Sequence, residues 1–149
     1  MAAKRTIPDA ELAQSFDGCL ATASRTIDRA VATVFDRQLR PLGVRSTQVT
    51  MLVAIAGAEP PVAAADLVGP LRIDQTTVSR GLARLRDLGL VEQDVGDDGR
   101  VNELRLTAEG RRVMREALPL WREAQSEIGV LLGSGLSDAV RRAASKLAE

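Results

Sequence analysis

The chain has 149 residues, enough for one domain with its own core, and 45% apolar with 27% charged residues is the composition of an ordinary folded protein. Twenty basic residues balance twenty acidic ones, so net charge gives no support for a polyanionic partner, and any such case rests on where the charges sit. Histidine is absent and Cys19 is the only cysteine, which excludes an intrachain disulfide and a His/Cys metal cluster and fits a reducing, cytoplasmic setting.

The first eight residues lack the apolar stretch of a secretory signal, and no apolar run reaches the ~18 residues of a membrane span. Over residues 9–40, Leu12, Phe16, Cys19, Leu20, Ala23, Ile27, Ala30, Val31 and Val34 recur at helical spacing and predict one long first helix, ended by Pro41. So long an apolar stripe needs a partner along its whole length. Ser46 is the expected N-cap of the next helix, which buries Val49, Leu52, Val53 and Ala56 and ends near Gly57. Residues 62–68 read as a short helix stopped by Gly69-Pro70. Asp74 caps a helix to Leu88, with Gly89 following its C-terminus. Two strands near 90–94 and 101–106 flank a Gly96-Asp-Asp-Gly99 turn, whose residues tolerate hairpin geometry. Thr107 caps a long helix to about Leu132, with a kink expected at Pro119, and residues 137–147 form a last helix after Gly133-Ser-Gly135. With only Phe16, Phe35 and Trp121 as aromatics, the core must come from Leu, Val, Ile and Ala, which suits helix-on-helix packing.

At ~100° per residue, Val78, Leu82 and Leu85 fall on one side of the 75–88 helix, and Thr76, Arg80, Ala83 and Asp87 on the other, flanked by Ser79 and Arg84. Short polar groups that permit close approach, with Arg to pair with guanine and Gln75 with adenine, are what a major-groove reader requires. Taken alone, the same pattern also describes an amphipathic surface helix with a solvated polar face. The surrounding order is more specific. A short helix, a turn, this helix and a two-stranded hairpin together make a winged helix-turn-helix, with Arg100 at the hairpin tip where a minor groove would lie. Asp98 is placed to hold Arg100 in direction, although both also read as simple turn residues.

The stretches Leu39-Arg-Pro-Leu-Gly-Val44, Ile73-Asp-Gln-Thr-Thr-Val-Ser-Arg80 and Leu88-Gly-Leu-Val91 resemble the multiple antibiotic resistance regulator (MarR) family, as does Asp98-Gly-Arg100 followed by Leu106-Thr107-Ala-Glu-Gly110. The likeness spans residues 9–149. It implies a mainly α fold with a small β-hairpin wing, forming a single domain over residues 1–149. Within it, residues 46–107 make the winged helix-turn-helix and residues 9–40 and 108–149 make dimerisation helices. It further implies a homodimer on a pseudo-palindromic double-stranded operator, most simply as a repressor released by a small-molecule effector. Gln75, Thr76, Thr77, Ser79, Arg80, Arg84 and Arg86 map to the groove-reading helix, Arg100 and Asp98 to the wing, and Ser46, Thr47 and Gln48 to a helix start that touches phosphate. Two departures stand out: Gln93, where relatives often carry a base, and Gly69-Pro70 in the short helix before the reader.

Met114, Ala117, Leu120, Trp121, Ala124, Ile128 and Leu131 form a second apolar stripe that needs covering, in line with a dimer. By resemblance the effector cleft lies between dimer helices and winged module, with Phe16, Cys19, Met51 and Trp121 as candidate lining. Cys19 has Ser15, Phe16, Thr22 and Ala23 within a turn and no cation, so it reads as a small buried hydrophobe. Oxidant sensing through Cys19 is the alternative, and a winged-helix module that binds protein instead of DNA is another. No catalytic residue, metal site or cofactor is proposed, and Asp97-Asp98 is turn chemistry. The chain is expected not to be an enzyme.

Overall fold

The computed structural model describes residues 9–95 and 102–146. The first helix is two helices. α1 (Asp9–Asp17) stops before Gly18, and α2 (Leu20–Leu39) starts afresh with Cys19 in extended geometry at its N-cap. A glycine inside a helix forfeits stability relative to alanine, and the break falls beside the one glycine in this stretch. A 3-10 turn, Arg40–Leu42, holds Pro41 in its first turn and closes on Gly43 at φ 68°.

In α3 (Ser46–Gly57) the N-cap is Arg45 and Ser46 is the first helical residue. The cap works in a way the local sequence does not show. The Arg45 amide donates to Gln48 Oε1 at 2.8 Å, while the Ser46 amide and hydroxyl both donate to Asp36 Oδ1 of α2, at 2.7 and 2.8 Å. A carboxylate from another helix thus takes up the first-turn amide and hydroxyl of Ser46, and the serine hydroxyl expected to accept from a first-turn amide is instead a donor.

The helix before the reader differs too. A 3-10 turn, Ala64–Leu67, passes directly into α4 (Val68–Leu71), so Gly69 and Pro70 lie inside the helical segment and do not stop it. Proline is tolerated in a first turn, where amides have no intrahelical partner. The stop comes at Arg72, whose φ of 54° is left-handed and whose amide closes on the Gly69 carbonyl at 3.1 Å. α5 (Gln75–Asp87) follows. β1 (Val91–Val95) and β2 (Asn102–Leu106) pair antiparallel, with Val91 opposite Leu106 and Gln93 opposite Leu104. The Leu104 amide also donates to the Val62 carbonyl at 2.8 Å, which fastens the hairpin to the body.

α6 (Ala108–Lys146) runs through Pro119 with helical torsions and breaks at Gly133, at φ 71° and ψ 154°. The interruption expected at Pro119 is absent from the torsions, and the break expected at Gly133-Ser-Gly135 is present at Gly133. Proline's fixed φ is itself helical, and the open geometry at position 133 suits only glycine.

Two cores result. The larger joins α3, α5, the hairpin and the start of α6, with Leu39, Leu52, Leu67, Val78, Leu85 and Leu104 essentially withdrawn from solvent. Each such side chain contributes about 2 kcal/mol from burial. The smaller lies between α2 and α6, where Val34 and Phe35 meet Ala124 and Ile128, and Phe35 stacks on Trp121 with ring centroids 4.2 Å apart. Arg37 and Glu127 pair across the same two helices. This is the mainly α fold with a small hairpin that the sequence led us to expect.

Candidate nucleic-acid interface

Helix α5 is built to hold one face out. Asp74 caps it: its carboxylate accepts from the Thr77 amide at 2.9 Å and the Thr77 hydroxyl at 2.7 Å. The hydroxyl first, then the amide, keep the Asp74 carboxyl below its ordinary pKa. At the other end Gly89, at φ 69°, donates to the Arg86 carbonyl at 2.8 Å and Leu90 donates to the Leu85 carbonyl at 2.9 Å, the paired bonds of a Schellman close. Between these caps Val78, Leu82 and Leu85 are buried, while Gln75, Thr76, Ser79, Arg80 and Arg84 are exposed. Ala83 is half-buried and Asp87 exposed. Among the described residues no carboxylate lies within ion-pair distance of Arg80 or Arg84. Thr77, by contrast, has spent its hydroxyl on the cap.

Arg86 points along the helix to the hairpin and donates to Gln93 Oε1. Gln93 therefore couples wing to reader where a base would have faced phosphate. The outer hairpin positions carry Glu92, Asp94 and Glu103 around Arg105, which Glu103 holds at 2.6 Å and Asp94 at 3.8 Å. Arg105 is thus engaged within the strand pair. Asp98 and Arg100, with the 96–99 turn, lie outside the described residues.

The Leu-Thr-x-x-Gly motif proves to be a joint. Thr107 Oγ1 donates to the Gly89 carbonyl at 2.7 Å and accepts from the Gly110 amide at 2.9 Å. Gly110 packs so closely on the Leu90 backbone that a Cβ there would collide with the carbonyl oxygen. The reader's last turn, the wing's base and the first turn of α6 are thereby locked together.

Ser46, Thr47 and Gln48 open α3 beside this face. Thr47 is exposed, whereas Ser46 is tied to Asp36 and Gln48 to the Arg45 amide. With Thr77, Arg80 and Gly81 they line a cleft of about 560 Å³ whose far wall is α2. Met51 lines it too. Trp121 does not: it lines a separate apolar cavity of about 400 Å³ with Val53 and Leu118. Cys19 lines neither, and the Phe16 side chain lies outside the described residues. Of the residues expected to share a cleft, Met51, Trp121 and Cys19 are therefore not brought together. Cys19 is also not core. It sits half-buried at the N-cap of α2, where the Thr22 amide, the Thr22 hydroxyl and the Ala21 amide lower its thiol pKa. Sequence reasoning missed Asp36, Asp28 and Gly81. Asp36 acts ten residues from its partner, and the other two matter only through the cleft, so neither periodicity nor a motif points to them.

A helix-turn-helix followed by a hairpin, on a long C-terminal helix, is a winged helix-turn-helix. The sequence model for the MarR family matches residues 42–101. The structure of the M. tuberculosis transcriptional regulator MosR in complex with DNA superposes with a TM-score of 0.75 at 32% identity, covering 87% of this chain and 93% of that one. More distant likenesses include a mutant E. coli MarR complexed with operator DNA (TM-score 0.75, 20% identity, 86% and 92% coverage) and CouR from Rhodococcus jostii RHA1 bound to p-coumaroyl-CoA (0.71, 17%, 89% and 93%). No curated protein sequence matches the chain. The chain belongs to the MarR family, whose members are transcriptional regulators and not enzymes. Among the described residues no helix is long and apolar enough to cross a membrane.

Proposed function

We propose that this chain is a sequence-specific double-stranded DNA-binding repressor, acting as a homodimer on a pseudo-palindromic operator and released by a small-molecule effector. The observation that carries the reading is α5: both ends capped, Val78, Leu82 and Leu85 anchoring it, and Gln75, Thr76, Ser79, Arg80 and Arg84 turned outward, with no carboxylate partner for Arg80 or Arg84 among the described residues. Exposed Thr47 extends the surface toward phosphate, and the family resemblance assigns Arg100, outside the described residues, to minor-groove contact. The relative MosR has been solved with DNA, and CouR with an acyl-CoA ligand, which supports the partner classes. Support for the dimer is the exposure of Leu20, Val130, Leu131 and Leu136 on the terminal helices, apolar side chains that a second copy would cover. The two readers then meet half-sites about 34–36 Å apart.

Fluorescence anisotropy against the intergenic DNA beside the protein's own gene tests this. Arg80→Ala should cost about 1–3 kcal/mol and relax sequence preference, and Arg100→Ala should weaken binding evenly across sequences. Wild-type affinity in both variants transfers the outer face to a protein partner.

A second reading rests on Cys19. A thiol acidified at a helix N-cap is poised to attack hydrogen peroxide, displacing hydroxide and becoming a sulfenic acid. Peroxide should then release wild-type protein from DNA and leave Cys19→Ser bound. Equal release of both removes the reading.

A further inference from the structure

Arg72 sits in the turn between α4 and the Asp74 cap of α5, at a φ of 54°. Side chains crowd the backbone in that left-handed region, and glycine adopts it more readily. A residue held there against its backbone preference points to what its side chain does. This side chain crosses the fold: Arg72 Nη1 donates to the Ala144 carbonyl at 3.1 Å.

Ala144 lies in the last turn of α6, where carbonyls have no intrahelical donor and the helix carries its partial negative charge. A cation donating there satisfies an orphan acceptor at the end of the dipole that favours it. The contact is possible because α6 breaks at Gly133, and residues 134–146 come back to the winged half. The returning segment is thinly packed on its own chain. Leu136 and Val140 are exposed. A cavity of about 200 Å³ separates Ser137 and Val140 from Ile27 and Val31 of α2, and the Ser137 hydroxyl is buried with no partner among the described residues.

The two ends of α6 therefore meet the two ends of α5. The first turn of α6 grips the reader's last turn through Thr107 and Gly110, and its last turn holds Arg72 just ahead of the reader's first. We propose that Arg72 is a positioning residue for DNA reading: its bond to Ala144 makes residues 134–146 a strap that fixes the N-terminal end of α5, the end carrying Gln75, Thr76 and Ser79. This rests on the DNA-binding reading and deepens it. Leu136 and Val140 put the strap on the surface that the second copy covers, so assembly of the dimer reaches the reader's entry angle through Arg72.

The test uses the full chain, with Arg72→Gly on one side of the bond and Ser145→Pro on the other. Glycine removes the side chain while relieving the backbone, so Tm and self-association should hold near wild type. Proline at position 145 biases Ala144 out of the helical region and displaces its carbonyl. By anisotropy on the intergenic DNA, each variant should weaken binding about two- to tenfold, the span of one hydrogen bond, and the double variant no more than either alone. The slope of log affinity against log salt should keep its wild-type value. Without DNA, the amides of residues 137–146 should exchange faster with solvent in Arg72→Gly than in wild type.

Wild-type affinity in Arg72→Gly, losses that multiply in the double variant, or unchanged amide exchange would each overturn the inference. So would a salt slope shallower by about 0.9, which makes Arg72 a phosphate contact instead. If wild-type protein binds no DNA, the underlying reading fails, and the exchange comparison reports separately whether Arg72 holds the strap.

Discussion

Leu52, Leu67, Val78, Leu85 and Leu104, all in the winged half, are sealed from solvent, while Leu20, Val130 and Leu131 on the terminal helices stand 80, 82 and 68% exposed. The same residue types meet opposite fates in one chain. In the winged half, short elements from five directions converge and each apolar stripe finds a neighbour. Leu39 of α2 and Val113 and Ala117 of α6 join the core of that half, but farther out the two long helices meet only at Val34, Phe35, Ala124 and Ile128 among the described buried residues. The winged half buries its apolar stripes within the chain, whereas the terminal helices leave theirs open.

Substitutions that separate the halves test this contrast. The largest effect is expected from Leu85→Ala, which opens a cavity beneath the reader: about 2–5 kcal/mol lost in denaturant unfolding. A loss far below this range would show that the core of the winged half is not continuous through α5. Next comes Gly110→Ala, which forces a methyl against the Leu90 backbone and should cost about 1–3 kcal/mol, read as a lower Tm. Leu131→Glu acts on the other half. It should leave the circular dichroism of the monomer intact and weaken self-association about tenfold by sedimentation. An unchanged dimer would place the interface elsewhere.

The smallest effect is on pH dependence. Asp74 is held below its ordinary pKa by Thr77, so its stabilisation of α5 is full above the unfolded value near ~3.9 and fades as pH falls through the lower folded value. Acid unfolding of Asp74→Ala should therefore begin from a lower plateau and lack this component. Superimposable acid transitions would show that the cap is idle.

The elements of the winged half were legible because each announces itself within a few residues. Asp74 and Gly89 bracket α5, three apolar positions fix its buried side, and Gly-rich punctuation marks the hairpin. The motif at Thr107 and Gly110 was visible as a spacing, but its meaning lies in contacts with Gly89 and Leu90 across the fold. What was not legible came from competition between local rules. Gly18 outweighed an unbroken apolar period and gave Cys19 an N-cap. Pro70 and Pro119 proved compatible with helical torsions: the stop expected at Gly69-Pro70 moved on to Arg72, while the break expected at Gly133 stands. Asp36 capping α3 and the cleft shared with Arg80 depend on helices that are distant in sequence, which no periodicity encodes.

The joint at Thr107 makes the first stretch of α6 a lever. From Ala108 to the break at Gly133 it is a continuous helix of roughly 37 Å at 1.5 Å per residue. Its near end is riveted to the last turn of α5 through one hydroxyl and one side-chain-free contact. With the far end held fixed, a tilt of about 5° swings the reader sideways by about 3 Å, close to the ~3.4 Å step between neighbouring bases on a strand. Registration on a double helix would thus be geared to a small angle of one helix.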